Sequence, residues 1–203
     1  MASPNFDALV VTLSYMIDDP VSAAATNGDV VTSAQRVTFL NDAVRICLNK
    51  WASERNWVAL RSYLKDGSAN LTNNAAALSS WTGTPFIIIS ARNSTDSVYI
   101  RPVPQEYKHV FQTSEYSNYF TGSATAQWYS IEDGNFTLID GGSTSTDAIY
   151  LRYVMGHTNL TVANATDILV DSQFWGELLN EAYKIYLRRV PTNKNIKALQ
   201  VAG

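Results

Sequence analysis

The sequence predicts an α+β protein: a helical layer with an antiparallel β-sheet or small sandwich inserted into it. Two observations lead there. Apolar residues recur at helical spacing over residues 6–60 and again over 171–189, whereas residues 63–153 show short alternating or wholly apolar runs broken by turn residues. On this reading residues 1–203 are a single domain, with a helical part at 4–62 and 171–190, an inserted β part at 63–160 and a C-terminal tail at 191–203. The layer needs one short N-terminal, one long central and one C-terminal helix.

Phe6, Leu9, Val10, Leu13 and Ile17 fall on one helical stripe that ends near Asp18, Asp19 and Pro20. Residues 21–31 have no periodicity and read as a connecting loop. Thr32 followed three places later by Gln35 has the form of a capping box, in which each side chain satisfies a free backbone N–H. Val37, Leu40, Val44, Cys47, Leu48, Trp51 and Val58 then make a second stripe, with Arg36, Asp42, Arg45, Lys50 and Glu54 expected mostly off it. This predicts a helix over residues 33–60, about 40 Å long at ~1.5 Å per residue, which suits a bundle or a ring wall.

Strands are expected at 86–90, 98–101, 107–112, 126–131, 135–139 and 149–154. Asp133-Gly134 between two of them is a strong hairpin signal, because Gly accepts the positive φ such turns need. Residues 141–146 form a Gly/Ser/Thr loop. Asp171 or Ser172 caps the last helix, which places Phe174, Leu178, Leu179, Ala182, Ile185 and Tyr186 on one face and Arg188 and Arg189 at its basic end, before Pro191 stops it. Val37, Leu40, Val44, Leu48 and Trp51, with Phe174, Trp175, Leu178 and Tyr186, are the expected core or ring-packing residues. The tail has little to bury by itself, so Arg188, Arg189, Lys194, Ile196, Lys197 and Leu199 are the expected partner-binding strip.

Composition excludes several classes. A net charge of −3 argues against a broad grip on nucleic acid, which needs many cations to displace counterions. The start, MASPNFDALVVTLSYMIDDP, lacks the basic region and cleavage site of a secretory signal, and no apolar run approaches the ~20 residues that cross a bilayer, so no membrane is expected. With that expectation, the Asn-x-Ser/Thr triplets at Asn70, Asn93, Asn135, Asn159 and Asn164 are ascribed to an Asn/Thr-rich composition. Cys47 is the single cysteine, which rules out an internal disulfide and a multi-cysteine zinc site.

No catalytic or cofactor motif is present, so neither an enzyme nor a cofactor is expected. His109 and His157 lack ligand spacing, Gly141-Gly142-Ser143 lacks the strand-to-helix context of a phosphate loop, and Asp18-Asp19 and Glu132-Asp133 sit at turns that Asp favours for backbone reasons. Among the five Trp, Trp51 and Trp175 fall on helix faces as packing residues, while Trp81 and Trp128 are left free to line a binding face.

The order of three pieces completes the reading: YSIEDGNFTLI, AIYLRYVMGHTNLT and DILVDSQFWGELLNEAYKIYLRR, preceded near the start by LNDAVRICLNKWASERNW. That order resembles the head-to-tail adaptor family of tailed bacteriophages, over residues 6–189. The long loop at 21–31 and the weak basic character depart from the family pattern. The resemblance implies a structural virion protein at the head–tail junction, assembled in the host cytoplasm as a ring of twelve copies. Such a ring binds the portal above and a tail or nozzle protein below, and genomic DNA passes through it without specific binding. A tail-completion or tail-tube-associated protein is the alternative within the same particle. A carbohydrate-binding β module stacking sugars on Trp81 and Trp128 is the alternative from another class.

Overall fold

A computed structural model describes residues 6–94, 98–103, 107, 127–139, 145–161 and 168–190. The chain divides into two units: Met1–Ser62 with His157–Gly203, and Tyr63–Gly156.

In the first unit α1 (Phe6–Met16) buries Phe6, Leu9, Val10 and Leu13, the stripe the spacing predicts. Asp18 follows at φ 58°, a left-handed residue that turns the chain out of the helix. Helix α2 (Ser33–Ser53) opens on the expected capping box: Gln35 N–H donates to Thr32 Oγ1 at 3.3 Å and Thr32 N–H to Gln35 Oε1 at 2.9 Å. It is shorter than the predicted 33–60, about 32 Å at ~1.5 Å per residue. Arg55 takes φ 55°, and the Asn56 side chain accepts from Ala59 N–H to start a new short helix, α3 (Trp57–Leu60). An Asn side chain able to bond nearby amides offers the backbone an alternative to helix, and here that alternative wins. Val58, placed on the buried stripe by its spacing, is 62% exposed as a result.

Asp171 Oδ1 accepts from Gln173 N–H and opens a 3-10 turn (Ser172–Phe174) that leads into α4 (Trp175–Arg189). Helices α2 and α4 bury Leu40, Val44, Leu48 and Trp51 with Leu178 and Ala182. Trp51 packs on Phe174 with ring centroids 5.3 Å apart, and Phe39 on Tyr186 at 6.3 Å. Each large aliphatic group so buried contributes ~1.5 to 3 kcal/mol.

The second unit overturns the expectation of a helical layer carrying a small inserted antiparallel sheet. Its described strands are β1 (Leu64–Asn70), β2 (Ala75–Ala77), β3 (Pro85–Asn93), β4 (Tyr99–Pro102), β5 (Gln127–Glu132), β6 (Asn135–Ile139) and β7 (Ala148–Met155). They form one seven-stranded mixed sheet, order β1-β7-β3-β4-β5-β6-β2, nearly closed into a barrel. It is a major element of the fold beside four helices among the described residues. Strands β4 and β5 pair in parallel, Ile100 with Gln127 and Pro102 with Tyr129; every other pairing is antiparallel.

The physical reason for the correction lies in β1 and β2. LKDGSAN and AAA lack the alternation of large apolar and polar residues that marks a half-buried strand. Gly67 in β1 lies under Trp81 and Tyr153, where a Cβ would meet each at 3.5 Å, so the missing side chain makes room for large rings from elsewhere. Trp81, Phe136, Ile149, Leu151 and Tyr153 form the core of this unit. The predicted Asp133-Gly134 turn is present, with φ 48° and 76°, and Asn73-Asn74 makes a similar left-handed pair at 49° and 68°. The strand expected at 107–112, apart from Tyr107, lies outside the described residues.

Candidate interaction surfaces

In the helical unit the polar positions of α2 hold the second half of the chain. Asn41 is an amide within the helix, and its Oδ1 accepts from Leu160 N–H at 3.0 Å while its Nδ2 donates to Leu160 O at 2.9 Å. The same Oδ1 lies 2.8 Å from His157 Nε2. Because the two bonds to Leu160 fix the orientation of the amide, Oδ1 is an acceptor toward His157 and Nε2 must carry the ring proton. Burial, assisted by the Arg45 guanidinium, pushes the His157 imidazole down to about 4, so it is neutral near pH 7.

One turn along, Arg45 reaches Asn159 Oδ1 at 2.7 Å and Asp42 at 3.3 Å, and Asp42 also binds Arg189 at 2.6 Å. Lys50 and Trp51 both bind Glu177, at 2.5 and 2.9 Å. Thus Arg189, expected at a partner-binding end, already has an intramolecular anion; Arg188 is exposed. Lys194, Ile196, Lys197 and Leu199 lie outside the described residues. Of the expected packing residues, Val37, Leu40, Val44, Leu48, Trp51, Leu178 and Tyr186 are buried, while Phe174 and Trp175 are half-buried.

Two buried ionic residues escaped the sequence reading. Asp19, ascribed to a turn, accepts the amides of Asp29, Val30 and Val31 at 2.7, 3.2 and 2.9 Å, which orders the loop read as featureless. Arg36, expected off the apolar stripe, is fully buried, 3.6 Å from Asp19, and donates to the carbonyls of Val31 and Thr26. A charged residue one place before a buried Val was the available signal, and it has the opposite meaning on most helices.

In the sheet unit Trp81 is 2% exposed and its Nε1 has no hydrogen-bond partner among the described residues, so it is a core residue and not a stacking platform. Trp128 is half-buried, with the Arg101 guanidinium 5.8 Å from its ring centroid. An open cleft of about 540 Å³ in the same unit is lined by Leu78, Phe86, Pro102, Val103, Tyr129 and Ile131 among others, and by neither tryptophan. Ser130 Oγ, also at its wall, is buried without a hydrogen-bond partner among the described residues.

Cys47 is buried and its thiol is pushed up to about 12, first by burial and then by Glu177 and Glu181, which removes thiolate character. Among the described residues no group of three or more His, Cys, Asp or Glu side chains is placed to hold a metal ion, and no helix is long and apolar enough to cross a membrane. The features that stand out are therefore surfaces and side-chain clamps. No protein-family model matches this sequence, and no curated protein matches it.

Proposed function

We propose that this chain is a structural virion protein, a head-to-tail adaptor that forms a ring of copies under the portal, joins it to a tail or nozzle protein, and leaves a channel for the genome. One observation supports the reading most: the described residues before 63 and after 156 belong to a single helical unit, and the sheet is one excursion between them. The order of the quoted segments, which resembles the adaptor family, is a property of the sequence alone and stands beside this observation. The clamps at Asn41, Asp42 and Lys50 add to it, since they tie α2 to the returning segment and leave the exposed faces for neighbours. Within the reading, the segment after Pro191 docks on the portal or on an adjacent copy through Lys194, Ile196, Lys197 and Leu199. Many identical weak contacts in a ring then add up to a firm one.

The test is a mass measurement on the purified chain with purified portal rings. A defined multi-copy assembly on the portal is the expected result, and deletion of residues 192–203 should leave a folded chain that is not retained there. A chain that stays monomeric in the presence of portal overturns the adaptor reading.

A further inference from the structure

The outer face of the sheet holds arginines and aromatic rings in register. Arg92 of β3 opposes Tyr99 of β4 on one side and Tyr150 of β7 on the other. Arg152 of β7 opposes Ser90 of β3 and Asp66 of β1, and Arg101 of β4 opposes Trp128 of β5. Side chains alternate along a strand, so Tyr99 and Arg101, Ser90 and Arg92, and Tyr150 and Arg152 share one face. Their neighbours Ala91, Ile100, Ile149 and Leu151 point the other way, into the core.

All three arginines are exposed, and Tyr99 is 71% exposed. The Arg92 guanidinium lies 4.6 Å from the Tyr150 ring centroid and that of Arg101 5.8 Å from Trp128. None of the three has an ion pair among the described residues; the carboxylate in register with them is Asp66 on the edge strand. A guanidinium stacked on a ring gives up its face and keeps its N–H edge, so Arg92 and Arg101 are held in place with their N–H edges facing outward.

We infer that this face is an interaction surface for the acidic side of a second copy of this chain. Among the described residues three cations stand here against Asp66 and Glu132, which shares the Trp128 face of β5, on a chain whose net charge is −3, so the charge outside this face is net negative. A contact between copies can thus be complementary in charge. Nucleic acid fits less well: three phosphate contacts give a salt slope of only about 2 on a single strand, and the net charge opposes approach. Arg, Tyr and Trp without Lys is also the composition of protein-interface anchors. The two copies would offer different patches, which is the heterologous geometry that closes rings. The inference rests on the ring reading in requiring self-association.

The test is sedimentation velocity of the full chain over a range of concentrations, at about 50 mM and about 500 mM salt. Concentration-dependent association at low salt, weaker at high salt, is expected. The variant Arg92→Ala/Arg101→Ala/Arg152→Ala should weaken it about tenfold while keeping its near-ultraviolet circular dichroism. Arg101→Glu alone, at an exposed position, provides the same readout should the triple variant misfold. Equal association by the variants overturns the inference, as does absence of association in the parent chain at either salt. Arginine-dependent binding of a thymidine oligonucleotide in place of self-association overturns it in favour of nucleic acid. If parent and triple variant join portal rings equally well, this contact is wrong and the adaptor reading stands. If neither joins while low-salt association depends on the arginines, the adaptor reading fails and this surface stands.

Discussion

Arg36 Nη1 lies 3.6 Å from Asp19 Oδ2, and both side chains are buried in the helical unit. The carboxylate also accepts three amides of the loop before α2, while the guanidinium donates to two carbonyls of the same loop. Removing one partner leaves an uncompensated buried charge. Asp19→Ala should therefore cost about 3 to 5 kcal/mol in urea unfolding. Asp19→Leu/Arg36→Met should recover the ionic part only, because the three amides remain without an acceptor and each such group costs ~1 to 3 kcal/mol. A single Asp19→Ala variant as stable as the parent would show that the pair does not organise the loop.

Gly28 belongs to the same construction. A Cβ at this position would sit 2.0 Å from Asp19 Oδ2, so the loop can wrap the carboxylate only where there is no side chain. Gly28→Ala is expected to cost ~1 to 3 kcal/mol through this clash. In an Asp19→Ala background most of that cost should disappear, giving a coupling of at least ~1 kcal/mol in a double-mutant cycle. Strict additivity would mean that some other strain explains the Gly.

His157 gives the helical unit a pH dependence whose sign can be stated. Burial, with Arg45 adding to it, lowers the folded imidazole to about 4 from the ordinary 6.5. Between those values the unfolded chain binds the proton and the folded one does not, so the contribution is complete above about 6.5 and is lost as pH falls toward 4. Up to about 2 to 3 kcal/mol is involved. Unfolding midpoints should fall between pH 7 and pH 5, and His157→Gln should flatten that profile. A parent profile as flat as the variant's would place the ring in solvent.

The parts of the fold legible in the sequence are those written in local chemistry. The capping box at Thr32 and Gln35, the stripe Leu40, Val44, Leu48 and Trp51, and the Asp133-Gly134 turn each need only residues a few places apart. The size of the sheet was not legible, because Gly67 and Ala76 do their work against Trp81 and Phe136, which lie far along the chain or on a paired strand. The break at Asn56 was missed because an apolar stripe continued through it in sequence. Asp19 and Arg36 were misread and Asn41 was passed over for a related cause: polar side chains are presumed to face water unless a partner is known, and theirs are distant in sequence or lie in a loop without periodicity. An Asn within an apolar helix stripe is the one clue that could have been followed, since the residue is unfavourable there without a partner.

The final prediction separates packing from hydrogen bonding at Trp51. Its ring is fully buried against Phe174, and its Nε1 donates to Glu177 Oε2 at 2.9 Å, while Lys50 binds the other oxygen at 2.5 Å. Burial works to raise the Glu177 carboxyl, but the bonds from Lys50 and Trp51 outweigh it and hold it below the usual range. This contribution is present above the ordinary carboxylate value and is lost as pH falls through the lowered one. Trp51→Phe keeps most of the ring and removes the donor, so it should cost ~1 to 3 kcal/mol and move the Glu177 titration upward by NMR. Trp51→Ala also empties the site and should cost ~3 to 5 kcal/mol. Lys50 is exposed, so Lys50→Ala should leave the unfolding midpoint close to that of the parent. A Trp51→Phe variant as stable as the parent, with the Glu177 titration unmoved, would mean that the indole acts here by packing alone and not through the carboxylate.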